Sequence, residues 1–232
     1  MKKLILLFLL LAGVTAFAQQ GAPPQREIYR IHFFKAAPGR LPDLLDAYLS
    51  LPAPPTGHGP LIFRHQSGDD WDLLVIYSQG AQAHIDASPN YTEAQRKLRE
   101  RVMSDYSWHT DTYASGPPLA EVEKALALPK DSKSVFLVTD YTALNGHVQQ
   151  LENELTRDTA LAKASAAVRF DHVQGAPWDF LVMLRYGSWQ DYATAQDAGV
   201  ASQNRDSHAA GTSFLLREHM SAHHDTLVTR IQ

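Results

Sequence analysis

Shifted by 107 positions, the chain matches itself. The segment FRHQSGDDWDLLV, starting at Phe63, lies over FDHVQGAPWDFLV, starting at Phe170. Seven of these 13 positions are identical: Phe63/Phe170, His65/His172, Gly68/Gly175, Trp71/Trp178, Asp72/Asp179, Leu74/Leu181 and Val75/Val182. Unrelated segments of this length share about one. The same shift pairs YRIHFFKAAPG, ending at Gly39, with FLVTDYTALNG, ending at Gly146. Toward the end of each half the shift becomes 114, setting His109-Thr110-Asp111-Thr112 over His223-His224-Asp225-Thr226. The second half therefore carries seven extra residues before its last strand. A chain duplicated in this way folds as two copies of one unit, and each copy can cover what the other leaves bare.

Each half has one order of elements. Residues 27–34 are rich in Ile, Tyr and Phe and read as a strand that Pro38-Gly39 ends. Residues 41–51 place Leu41, Leu44, Leu45 and Tyr48 at helical spacing. Residues 61–66 and 71–78 are strands joined by a tight turn, which predicts a hairpin. Residues 81–106 read as helix interrupted at Pro89, and 108–114 as a fourth strand. The second half repeats this with strands at 134–142, 167–174 and 178–186, helices at 146–160 and from 189 to about 209, and a last strand ending at Ile231. The order β-α-β-β-α-β is that of a ferredoxin-like unit. The expected fold class is α+β: two tandem units, 27–115 and 134–232, packed sheet to sheet as an intramolecular barrel. A linker at 116–133, with Pro117, Pro118 and Pro129 around a short helix at 119–128, joins them.

With this topology and the repeated WDLLV and WDFLV strands after Gly-containing turns, the chain resembles the dimeric α+β-barrel superfamily in a tandem-fused form. Antibiotic-biosynthesis-type monooxygenases, EthD-like and NIPSNAP-like proteins are among its members. The resemblance implies a cavity between sheet and helices in each half. It does not imply one reaction, because such a fold hosts many. Haem-binding members of the superfamily make a haem-ligating His a third alternative.

The N-terminus reads as an address. Lys2 and Lys3 precede an 11-residue apolar run, Leu4 to Val14, and Ala16-Phe17-Ala18 supplies a cleavage site. This is the pattern of a secretory signal peptide over residues 1–18, with a flexible leader at 19–26. The run is too short to span a bilayer, which takes about 20 residues. A periplasmic or secreted protein of 214 residues and net charge −6 is expected after cleavage, from the full chain's 232 residues and −4.

An acidic balance, 21 Lys and Arg against 25 Asp and Glu, argues against nucleic acid as a partner. No membrane association is expected once the signal is removed. The absence of cysteine excludes disulfides, thiolate metal sites and a Cys nucleophile. Since each half supplies the other's partner sheet, a monomer is the default, and a further dimer stays open. A small-molecule ligand is the expected partner, with no cofactor and no metal.

Eleven His residues supply the candidates for chemistry. His65, His172, His109, Asp111, His223 and Asp225 survive the duplication in kind. A carboxylate beside an imidazole fixes its tautomer and stabilises its charged form, which suits a general base. In the resembled architecture, strand two of one half lies near strand four of the other. That would bring His65 toward His223 and Asp225, and His172 toward His109 and Asp111. The same residues could instead brace the seam between the halves. Phe63, Phe170, Trp71 and Trp178 are candidate cavity walls, with packing under a helix as the alternative for the two Trp. His32 has Thr139 as its counterpart, so it is the residue to watch if one half alone is used. His219, His223, His224 and Asp225 form the densest His cluster, which would chelate only on a helix. The expected function is binding of a small apolar or aromatic molecule, with cofactor-independent His/Asp chemistry of oxygenase or isomerase type. The alternative is a non-catalytic binding module in which these residues are structural.

Overall fold

The structure, a computed structural model, describes residues 25–50, 58–80, 92–128, 133–161, 163–205 and 213–231. The expected signal peptide, most of the leader, the segment around Pro89, Pro129, His84 and His208 lie outside the described residues. In the first half the elements are β1 (Glu27–Ala36), α1 (Leu41–Leu49), β2 (Leu61–Ser67), β3 (Leu73–Gly80), α2 (Glu93–Asp105) and β4 (Tyr106–Gly116). The linker helix α3 (Leu119–Ala125) follows. The second half has β5 (Val135–Ala143), α4 (Val148–Leu161), β6 (Ala166–Gln174), β7 (Phe180–Tyr186), α5 (Trp189–Arg205), α6 (Ser213–Arg217) and β8 (Met220–Arg230). The extra residues of the second half, between α5 and β8, include α6.

Eight antiparallel strands close into a barrel in the order β1-β3-β2-β8-β5-β7-β6-β4. Each half contributes four neighbouring strands. Closure occurs at two seams, β2 with β8 and β4 with β6, so strand two of each half does pair with strand four of the other. A closed sheet leaves no edge strand open to another chain.

Alternation along each strand sends one set of side chains inward and the other out under the helices. From β1, Tyr29, Ile31 and Phe33 enter the barrel, while Phe34 and Ala36 face outward. Rings from both halves fill the interior: Tyr29 meets Phe170 edge-on at 5.0 Å, and Phe63 meets Phe136 at 5.2 Å. Burying one such side chain is worth about 1.5–3 kcal/mol. Outside, Leu44, Ala47 and Tyr48 of α1 cover the first sheet, and Leu151 and Leu155 of α4 cover the second.

Helix α3 is more than a connector. Val122 and Leu126 are fully buried in the barrel core, so the linker stoppers one mouth. The carbonyls of Pro117 and Leu126 accept hydrogen bonds from the Tyr29 hydroxyl (2.6 Å) and the Arg230 guanidinium (2.7 Å).

The repeated Trp-Asp pair has a structural use in both halves. The Asp72 amide donates to the Phe34 carbonyl (2.7 Å), and its carboxylate accepts from the Ala36 amide (2.8 Å). Asp179 does the same with the Tyr141 carbonyl and the Ala143 amide, both at 2.7 Å. Each Asp thus pins the start of strand three to the end of strand one, satisfying main-chain groups past the end of the regular ladder.

Candidate functional site

Face parity corrects the pairing expected from the sequence. His65 stands opposite Val228, a residue of the inner core, and His172 stands opposite Ala114, another. Both histidines point inward, where His65 meets Trp71 edge-on at 5.8 Å and His172 meets Trp178 at 5.5 Å. His109, Asp111, His223 and Asp225 lie on the outer face, under the helices. His65 therefore does not join His223 and Asp225, and His172 does not join His109 and Asp111, because the sheet itself separates them. Phe63, Phe170, Trp71 and Trp178 are likewise no wall of a chamber beneath the helices. They are packed into the barrel core, none more than 4% exposed.

The outer face of the first half assembles a different group. Strand β1 presents Arg30, His32 and Phe34 on that face, and β4, hydrogen-bonded beside it, presents His109 and Asp111. Register sets His32 opposite Asp111 and Phe34 opposite His109. Directly opposed side chains on antiparallel strands have Cβ atoms about 4.5–5.5 Å apart, close enough to interact. His32 Nε2 lies 3.7 Å from Asp111 Oδ1. Arg30 grips both oxygens of Asp111 in a bidentate pair, with Nε donating to Oδ1 at 2.8 Å and a second bond to Oδ2. Bidentate pairing fixes the plane of the carboxylate as well as its charge.

Around this polar group stand rings. His32 stacks on Phe34 at 5.4 Å, lies 6.3 Å from His109 and meets Tyr77 edge-on at 5.9 Å. Phe34 also contacts Tyr48 of α1 at 5.1 Å and Tyr106 at 5.4 Å.

His32 is 7% exposed, and its Nδ1 has no hydrogen-bond partner among the described residues. Burial pushes its pKa down to about 4, against the pull of Asp111 and of the Thr110 main chain and with the push of Arg30 and His109. The imidazole is neutral at pH 7. Burial would raise Asp111, but its hydrogen bonds from Arg30 and the charges of His32, Arg30 and His109 outweigh this and hold it below the ordinary carboxylate range. Nε2 is the ring nitrogen that faces the Asp111 carboxylate, beyond hydrogen-bond reach at 3.7 Å. Burial above all raises the phenols of Tyr48 and Tyr77, so both stay protonated. The arrangement is a desolvated base, an oriented anion behind it and a fixed cation, within a wall of aromatic rings.

The second half keeps half of this. His223 and Asp225 share the outer face, 3.7 Å apart, and Tyr141 stacks on His223 at 6.2 Å. Thr139 replaces His32 and donates its hydroxyl to Asp225 at 2.6 Å. Leu137 stands where the first half has Arg30. A half-buried Asp158 is added, its pKa raised to about 6 by desolvation and by Asp225. The expected cluster of His219, His223, His224 and Asp225 disperses: His219 faces His147, Nδ1 to Nδ1 at 3.0 Å, and His224 pairs with Asp140 at 3.0 Å.

Arg30, Tyr48 and Tyr77 are members of the site that sequence reasoning did not single out. A signal was available for Arg30, since an Arg and a His at alternate positions of an otherwise apolar strand share one face.

No family model matches this sequence and no curated protein matches it. Solved structures do share its architecture. An anthrone oxidase-like protein superposes with TM-score 0.64 at 11% identity, over 89% of this chain and 92% of the other. A candidate monooxygenase from Fusobacterium nucleatum subsp. nucleatum ATCC 25586 gives 0.55 at 6% identity, over 91% and 94%. Another from Lactobacillus acidophilus NCFM gives 0.53 at 7% identity, over 89% and 94%. Likeness at such identities is a likeness of fold.

Proposed function

From the premise that this is a dimeric α+β barrel with both halves in one chain, we propose that it binds a small aromatic molecule beside His32, on the outer face of the first-half sheet, and acts on it with His32 as base. The observation that carries this reading is the buried, neutral His32, with Nδ1 unpartnered among the described residues and Asp111 held behind it by Arg30. A buried nitrogen without a partner costs about 1–3 kcal/mol, which a ligand donating to it would recover. The expected His/Asp chemistry is thus kept, but with His32 and Asp111 as the pair.

His32 Nδ1 takes a proton from an activated C–H of the ligand, and the imidazolium is stabilised by Asp111. Arg30 faces the negative charge that develops on a conjugated oxygen. The carbanion adds to molecular oxygen, the imidazolium returns its proton to the peroxide, and loss of water leaves a ketone. For a CH2 group the balance is RCH2R′ + O2 → RC(O)R′ + H2O, with oxygen as both oxidant and oxygen source. The anthrone oxidase-like neighbour suggests anthrone as the first probe. The basic start, apolar run and Ala-Phe-Ala of the N-terminus support action outside the cytoplasm.

The test is anthrone turnover under oxygen by the mature chain and by His32→Gln. Loss of a general base costs typically 10²–10⁴-fold. An unchanged rate in His32→Gln would sink the catalytic reading. Binding of anthrone without turnover by either protein would favour the plain binding module.

A further inference from the structure

We propose that Asp69, Asp140 and His224 form a divalent-metal site, suited best to zinc, at the barrel mouth opposite helix α3. The three come from separate segments. Asp69 lies in the β2–β3 turn of the first half, Asp140 on β5 and His224 on β8 of the second. One ligand atom from each lies within 4.8 Å of the other two, and His224 Nδ1 and Asp140 Oδ1 are 3.0 Å apart. Zinc bonds of about 2.0–2.2 Å place neighbouring ligand atoms about 3–3.5 Å from one another. Rotation of the Asp69 side chain, on a surface turn, covers the remaining gap.

The duplication provides an internal control. The counterparts of Asp140, His224 and Asp69 are Phe33, Thr110 and Ala176. In the first half Phe33 packs on Trp71 at 5.0 Å, and Ala176 packs against the barrel core. This corner of the fold therefore closes without any charged group. In the second half it holds two carboxylates and an imidazole, and the Asp140 side chain is only 18% exposed. Trp178, the counterpart of Trp71, is 4% exposed, and its indole Nε1 has no partner among the described residues. Two acids brought together at a half-buried mouth repel each other unless a cation lies between them.

Mixed imidazole and carboxylate ligands suit zinc, with manganese and iron as weaker competitors at the same set. Three protein ligands leave a fourth position for water. The site lies on the inner face of β5 and β8, and the His32 group lies on the outer face of β1 and β4. The two are independent, and failure of one leaves the other standing.

The test uses the full mature chain, stripped with a chelator and titrated with zinc by calorimetry. One equivalent is expected. His224→Gln and Asp140→Asn should each weaken binding tenfold or more, and His219→Gln should leave it unchanged. His224 is exposed at the rim, so its variant keeps the fold, which circular dichroism checks. Cobalt in place of zinc should give visible absorption that His224→Gln removes. No zinc bound at micromolar concentration would overturn the proposal. So would affinity indifferent to His224→Gln and Asp140→Asn, or affinity lost in His219→Gln, which would place the metal at the His147–His219 pair instead.

Discussion

Gly68 lies against the main chain of Asp225 across the seam between the halves, so closely that a Cβ there would stand 2.3 Å from the Asp225 carbonyl oxygen. Gly175 repeats the contact with Asp111, at 2.4 Å. Both glycines have positive φ, +124° and +118°, which an L side chain rarely adopts. Beside them, the Asp69 amide donates to the Thr226 hydroxyl (3.3 Å) and the Ala176 amide to Thr112 (3.2 Å). Each turn thus locks onto the last strand of the other half.

Gly68→Ala and Gly175→Ala should each cost on the order of 3 kcal/mol, from strain and overpacking together. Urea denaturation measures this. Gly175→Ala also presses on the backbone of Asp111, so it should weaken ligand binding beside His32 more than Gly68→Ala does. Equal binding by the two variants would show that the turn does not position Asp111.

The depressed pKa of His32 predicts a pH dependence of folding. In the unfolded chain the imidazole binds a proton below about 6.5. In the folded chain it does so only below about 4. Between these values the unfolded state binds more protons, so stability rises with pH from 4 to 6.5 and is fully present above that range. Denaturation midpoints at stepped pH should show a shallower slope for His32→Gln. A variant with the wild-type slope would place the pH dependence elsewhere.

Asp72→Ala and Asp179→Ala each leave a main-chain N–H without its acceptor. The expected cost is about 1–3 kcal/mol apiece. The two sites share no partner, so the losses should add in the double variant. Clear non-additivity would mean that the two halves communicate across the barrel mouth.

His65 and His172 pack on Trp rings inside the barrel, with Nε2 buried and unpartnered among the described residues. Changing both to Gln should lower the melting temperature by about 2–4 °C for each kcal/mol lost. Ligand binding beside His32 should persist. Loss of binding with an unchanged melting temperature would return these residues to the site.

Much of this molecule was legible in its residues. Comparison of the halves showed the duplication, and strand and helix periods showed the order of elements in each. The adjacency of β2 to β8 and of β4 to β6 was what the resemblance to the α+β-barrel superfamily implied, and the strand pairing bears it out. Alternation also said that His109 and Asp111 share a face, as do Phe63 and His65, because period two is a property of a single strand. Which of those faces looks into the barrel depends on the register between strands far apart in the chain, as when His65 falls opposite Val228. A register is settled by how the whole sheet closes, and a slip of one residue exchanges its faces. For that reason His32 and Asp111 were both visible in the sequence, while their pairing, the grip of Arg30 and the burial of α3 came from the folded barrel.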